Sequence, residues 1–393
     1  MSQQRTPPPG GLLRLLILDR YLLRQFLQTF LICFCSLTGL YVVIDGFANL
    51  EEFINEGQKQ GGLLKVMGEY YAYRSLSFFD TMSGILTLIA AMFTVTWIQR
   101  HNELTAIEAA GLPKSRIIRP VIGAAVAISL LSAFNREAVI PRIRHHLSHN
   151  AQDLGGRTGK MLVPRYDNET DVLLGGSGSK TYGDEQRIHK PDFYLPAGLD
   201  RYGPRVAAEN AYYQPPAGDR PGGYLFRKVE DPRDLAVQPS LELLGRPVLL
   251  SPHDTKWLAA DECFVVSNVS FEHLEGGASW RQFSSTFELV RGLRNRSLDF
   301  GADERTAIHA RFVQPILDVT LLFLGLPLIL SRSNRNVFVA IGMCVALVAT
   351  FMSVVMACKY LGASYWLEPA LGAWLPLMIF VPCAVRLSGP LRE

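Results

Sequence analysis

Few side chains in this sequence are placed to do chemistry, and the most ordered set lies in one short loop. The segment Trp97–Val121, WIQRHNELTAIEAAGLPKSRIIRPV, sets Glu103, Leu104, Ile107 and Ala110 at i, i+1, i+4 and i+7. That spacing predicts a short amphipathic helix with an acid in its first turn. Gly111 and Pro113 are placed to end it. Such a helix can offer a carboxylate to a basic residue of another protein, or it can lie flat and tie its two neighbours together. Both readings stay open on spacing alone.

The other candidates are weaker. His145, His146 and His149 cluster together, but no glutamate completes a zinc-hydrolase motif, so they read as a solvated face. Gly175–Thr181, GGSGSKT, looks like a phosphate-binding loop, yet that pattern would need glycine at Leu174 and Ser179. It reads as a turn between strands, and the chain shows no nucleotide-binding domain of its own. Asp318 falls inside an apolar stretch. A carboxylate there needs a polar or protein-lined surrounding, either as a structural hydrogen-bonding group or as a polar point in a translocation cavity.

These residues hang on a framework of apolar runs. About 20 apolar residues are needed to cross a bilayer as a helix. Six runs qualify: about Phe26–Ile44, Leu76–Ile98, Ile117–Phe134, Ile308–Leu330, Val337–Cys358 and Leu367–Val385. The basic short segments are the N-terminal flank (Arg5, Arg14, Arg20, Arg24), the second loop (Arg100, Lys114, Arg116, Arg119), the fourth loop (Arg332, Arg335) and the C-terminus (Arg386, Arg392). In the loop after the first span, Asp45, Glu51, Glu52, Glu56 and Glu69 outnumber Lys59, Lys65 and Arg74. With six spans all strongly basic segments share one side. The positive-inside rule makes that side cytoplasmic, with both termini there and the middle of the chain outside, in the periplasm of a two-membrane bacterium.

The middle has a different texture. Short alternating runs occur at Asp171–Gly176, Arg205–Gln214, Gly222–Glu230, Arg246–Ser251 and Cys263–Leu274, punctuated by Gly, Pro and Asp. The pattern predicts an all-β domain with no long helix after about Leu154. The expected layout is a tail and interfacial start over 1–25, three spans with the loop helix at about 100–111 over 26–140, a β domain over 141–305, and three spans over 306–393. The opening MSQQRTPPPGG is polar and proline-rich and reads as a disordered tail, and the first apolar run starts too late, is too long and lacks the small-residue cleavage site of a signal peptide.

Composition supports this division. The 393 residues are 48% hydrophobic with a net charge of only +3, which argues against a nucleic-acid partner. Of six cysteines, only Cys263 falls in the middle domain, so that domain cannot cross-link itself. No CxxC pair exists, and no metal site is expected.

Four stretches resemble the lipopolysaccharide-export permease family of the LptF/LptG type (YjgP/YjgQ permeases). NELTAIEAAGLPKSRI is similar to its coupling-helix signature after the second span, with Glu103, Ala106, Ala110 and Gly111 on recurrent positions. Asn135–Pro141 (NREAVIP) resembles the exit from the third span. His309–Arg332 resembles the fourth span, with Arg311, Phe312, Pro315, Gly325 and Pro327 in place. Leu367–Phe380 resembles the last span through Pro369, Ala373, Trp374, Leu375 and Pro376. Two departures stand out: the proline usual within the second span is absent around Met82, and Asp318 replaces a usually apolar residue.

The resemblance implies a six-helix integral membrane protein with an inserted all-β, jellyroll-like periplasmic domain. It implies an inner-membrane permease subunit, not an enzyme, in an ATP-driven ABC exporter that extracts lipopolysaccharide and passes it to a periplasmic bridge toward the outer membrane. The implied partners are a cytoplasmic ABC ATPase dimer, a homologous second permease and bridge proteins of jellyroll type. No cofactor is bound by this chain; ATP and Mg are used by the partner ATPase. Glu103, Ala106, Ile107, Ala110 and Gly111 would dock on that ATPase. Arg136, Arg142 and Arg74 are the candidates for an anionic lipid headgroup, and Phe30, Leu37, Asp318 and Val354 for a cavity wall or gate. One alternative is an ABC subunit that transmits force to periplasmic partners without moving lipid. Another is a membrane-bound lipid-modifying enzyme, for which the histidine cluster is the sole candidate site.

Overall fold

The computed structural model describes residues 17–148, 151, 159–176, 178–183, 185–196, 203–218, 220–330 and 337–389. The polar N-terminal stretch, His149, Arg332, Arg335 and Arg392 lie outside them.

Among the described residues, six helices are long and apolar enough to cross a membrane. The chain begins with α1 (Ile17–Ala48), α2 (Leu50–Gln60), α3 (Leu63–Arg100), α4 (Glu103–Ala109) and α5 (Lys114–Phe134). A π-helical turn, Asn135–Val139, then carries α5 into α6 (Ile140–Ser148) without a break. The loop expected after the first span is helical instead. No proline interrupts residues 50–100, and the chain turns only at Gly61 and Gly62, whose φ angles of 92° and 128° suit glycine. At about 1.5 Å per residue, α3 is roughly 57 Å long and extends well past a single bilayer crossing.

The strands follow: β1 (Lys160–Met161), β2 (Arg165–Asp167), β3 (Val172–Leu174), β4 (Lys180–Tyr182), β5 (Arg187–His189), β6 (Asp192–Tyr194) and β7 (Arg205–Gln214). Then come β8 (Gly223–Asp231), β9 (Leu241–Leu243), β10 (Arg246–Leu250) and β11 (Glu262–Val266). Every pairing is antiparallel. The long strands β7 and β8 form the spine. One edge of β7 is shared, with β6 along its first residues and β5 along its later ones, so the sheet forks there. The other arm runs β8-β11-β10-β9. Phe193 meets Phe226 and Tyr224 edge-on, at ring separations of 5.0 and 5.5 Å, in a core that also takes Val172, Val206, Val248 and Cys263.

The middle domain is not all β. After β11 the chain forms α7 (Phe271–Phe283) and α8 (Thr286–Leu293). The run Cys263–Leu274, expected as one strand, is strand only to Val266. Phe271 and Leu274 are three apart and both reach the β core, which only helical spacing allows. Ser285 and Glu288 cap α8 reciprocally.

The chain returns to the membrane through α9 (Ala302–Leu330), α10 (Val337–Ala363) and α11 (Pro369–Leu387). One apolar core joins α3, α5, α9, α10 and α11, with Phe26 of α1 at its edge. Two thirds of the most apolar window of α3 is buried and none of that of α1, so α3 is the hub and α1 the outermost helix. Lipid tails are as apolar as leucine, so close contact must hold such a bundle together. Glycine supplies it: Gly84 meets Asp318, Gly325 meets Leu88, and Gly362 backs directly onto Gly372.

Candidate coupling loop and intramembrane polar seam

The loop helix α4 is present and short. Asn102 enters it at φ 59°, and Gly111 leaves it at φ 80°, a left-handed turn that glycine adopts without strain. Leu104 and Ile107 face inward and pack with Leu18 on Leu22, Ile98 and Ile117. Ile107 is therefore largely committed to the bundle. Ala106, Glu108, Ala110 and Gly111 are exposed. Beside them lies an open notch lined by Glu108, Gly111, Leu112, Pro113 and Lys114.

Glu103 already has a partner within the chain. Its two carboxylate oxygens accept from the Tyr21 hydroxyl at 3.2 and 3.1 Å. A second tie runs parallel to it, from Arg116 at the start of α5 to Asp19 at 3.0 Å. Both lead to the first turns of α1, so α4 is attached to α1 as well as to α3 and α5. Glu108 is the outward acid, at 4.0 Å from Lys114.

A polar seam runs inside the bundle at its other end. Arg136 lies in the π-helical turn, roughly 33 Å along the helix from Lys114. Its Nε donates to both oxygens of Asp80 at 3.0 Å, and its Nη2 sits 2.9 Å from one of them. Ser132 donates to the same carboxylate at 3.2 Å and accepts from Ser83 at 3.0 Å. Asn135, buried, donates to the Leu76 carbonyl at 2.8 Å. The wider π turn brings Asn135 and Arg136 onto the α3 side while Glu137 reaches α8.

Deeper in, Asp318 accepts from Gln314 at 2.9 Å, and Gln314 in turn accepts from Lys359 of α10 at 3.4 Å. Asp318 lies against Gly84 so closely that a Cβ there would come within 2.8 Å of its carboxyl carbon. Ser83, Thr87 and Ser129 line the same small recess. Four ionisable groups, Asp80, Arg136, Asp318 and Lys359, are thus spread along one polar path across α3, the π turn, α9 and α10. Asp80, Gln314 and Lys359 were not singled out in the sequence. An ionisable residue inside an apolar run was the available signal.

The remaining candidates are scattered. Arg142 donates to the Ala138 carbonyl at 2.7 Å. Arg74 sits over the Tyr70 ring and donates to its hydroxyl at 3.2 Å. Phe30 packs between Phe26 and Phe79, Leu37 is exposed on α1, and Val354 is half-buried on α10. Between α3 and α10 lies an apolar groove of about 420 Å³, lined by Ile89, Met92, Phe93, Cys344 and Val348 and by none of these three candidates. His146 stacks on Tyr73 at 4.3 Å, which gives the histidine cluster a packing role at that ring.

A protein-family model described as "Lipopolysaccharide export system permease LptF/LptG" matches residues 20–156 and 252–389. Its two segments take in both membrane halves and leave out most of the strands. No curated protein matches the chain.

Proposed function

The chain belongs to the LptF/LptG lipopolysaccharide export permease family, and on that premise we propose that it is one of two paired transmembrane subunits of an ATP-driven exporter of lipopolysaccharide. The observation that carries this reading is the family match on both sides of the inserted β domain, with α4 at the corresponding basic loop. Membership makes it a multi-pass inner-membrane transport protein. The finer assignments are our own.

In this reading both termini and α4 face the cytoplasm, and the β domain is periplasmic. Support comes from the Lys and Arg bias of the segments beside α4 and before α1. A dimer of a separate ATPase docks at α4 through Ala106, Glu108, Ala110 and the notch before Lys114, with Glu103 in reach once it leaves Tyr21. ATP and Mg belong to that ATPase. A second, homologous permease pairs through the exposed apolar face of α1, where Leu31, Ile32, Leu40 and Ile44 are each more than half exposed. Lipid acyl chains need a cavity larger than the 420 Å³ groove of one subunit, and a pair of subunits encloses one between them. Among the described residues, β1 and β9 are the end strands of the main sheet path, and such edges are suited to extend into a bridge protein's sheet.

The test is copurification with candidate ATPases, comparing the natural chain with Glu103→Ala and Glu103→Arg, and mass spectrometry of bound lipid. An ATPase lost from the variants, together with copurified lipopolysaccharide, supports the exporter. ATPase binding with no glycolipid points instead to a subunit that only transmits force. Absence of any ATPase removes α4 as a docking element.

A further inference from the structure

We infer that α8 is a membrane-surface anchor, seated among anionic phospholipid headgroups at the β-domain end of the bundle. The position of the helix comes first. Thr286, its first residue, donates through its amide and hydroxyl to Glu137 at 2.8 and 2.5 Å. Arg311 of α9 donates to the carbonyl of Ser284, just before the helix, at 2.5 Å. Glu137 lies roughly 35 Å along the helix from Lys114, and Arg311 roughly 28 Å from Leu330. The hydrocarbon core is about 30 Å thick. Two independent rulers therefore put the start of α8 at a headgroup layer. The same end of the bundle exposes Tyr360, Tyr365 and Trp366, residues that favour membrane interfaces.

The helix has two faces. Leu289 is buried beneath it. On the opposite side Phe287 is 75% exposed, and Arg291 and Arg294 follow at i+4 and i+7, both exposed. Arg296 is exposed just beyond. Among the described residues none of these three arginines is ion-paired, whereas the one acid of the helix, Glu288, is engaged by Arg144 and by the cap. Asp299 is the other acid of the segment. A solitary bulky aromatic flanked by unpaired arginines is poorly suited to open water. At a headgroup layer the ring reaches the acyl boundary and the arginines meet lipid phosphate. The β domain would then be held to the bilayer surface through α8 as well as through its two chain connections. This inference depends on the chain spanning a membrane and not on what it transports.

The test is photocrosslinking of the full chain, with Phe287 replaced by p-benzoyl-phenylalanine, in phosphatidylcholine nanodiscs with and without phosphatidylglycerol. A third set contains lipopolysaccharide. The same replacement at Val237, exposed on the β domain, is the solvent control. The expected result is a phospholipid adduct at position 287 and none at 237, with a yield that rises severalfold with phosphatidylglycerol. Arg291→Gln with Arg294→Gln should return that yield to the phosphatidylcholine level while the melting temperature stays unchanged. Crosslinking to another polypeptide, adducts confined to lipopolysaccharide discs, no lipid adduct, or a yield blind to phosphatidylglycerol or to the two arginine changes would each overturn the assignment.

Discussion

Asp80 and Arg136 form a two-pronged ion pair inside the helix bundle, with both Nε contacts at 3.0 Å and little of either side chain exposed. The pair bolts the π-helical turn to the middle of α3. Removing one partner strands a charge in a low-dielectric interior, at a cost of about 3–5 kcal/mol. Asp80→Ala and Arg136→Ala should therefore each lower stability by that order. The double variant should lose less than the sum, with a coupling of about 2 kcal/mol. Thermal melts of the four proteins in one detergent measure this. Additive losses would mean that the two side chains do not interact.

Gly84 is needed because Asp318 occupies the space that its Cβ would take. Gly84→Ala should separate α3 from α9 and cost about 1–3 kcal/mol, the usual penalty for overpacking. Combining it with Asp318→Ala removes the obstruction and should recover most of the loss. Melting temperatures of the single and double variants decide the matter, and equal losses in both would sink the account.

His273 should make the stability of the β domain sensitive to acid. It is packed between Trp280 and Phe300, at ring separations of 4.3 and 6.0 Å, and approached by Ser270 at 2.6 Å. Burial first, then the positive charges of Arg165 and Arg144, push its pKa down from 6.5 to about 4. A depressed histidine pKa means that the unfolded chain binds the proton more readily. The stabilising contribution is present above pH 6.5 and is lost as the pH falls from there toward about 4, by on the order of 3 kcal/mol. Melting of the natural chain should drop across that window, and His273→Gln should flatten the dependence. An unchanged slope in the variant would assign the acid sensitivity to other groups.

Legibility in the sequence followed the range of the interactions. The six apolar runs needed only local composition, and each lies within one membrane-length helix to within a few residues at its ends. The strand Arg205–Gln214 was readable residue for residue because Pro204 and Pro215 bracket an alternating run. The helix α7 was hidden because SNVSFEHL alternates as a strand does, and only contact with the β core reveals that Phe271 and Leu274 share a helical face. Ser285 and Glu288, by contrast, spelled out a capping box that could have been read. The polar seam was invisible for another reason. Arg136 and Asp80 are 56 residues apart, and an arginine at the end of a span looks interfacial until its partner is known.

Glu103 and Tyr21 supply the prediction that separates two roles of one carboxylate. Within the chain, Glu103 holds α4 to the first turns of α1 by hydrogen bonds of 3.2 and 3.1 Å, alongside the Asp19–Arg116 pair. Tyr21→Phe deletes the bond and leaves the acid in place. A hydrogen bond to a charged group contributes about 1.5–3 kcal/mol at most, and less where water competes. Amides of Glu103–Ala110 should therefore exchange faster in Tyr21→Phe, by roughly tenfold or less. If Glu103 also docks on an ATPase, Tyr21→Phe leaves copurification intact or strengthens it, because the acid is released, while Glu103→Ala abolishes it. If the carboxylate only ties helices together, the two variants speed exchange alike and weaken copurification alike. Hydrogen exchange and copurification on the same pair of variants thus distinguish an acid that moves between partners from one that stays on Tyr21.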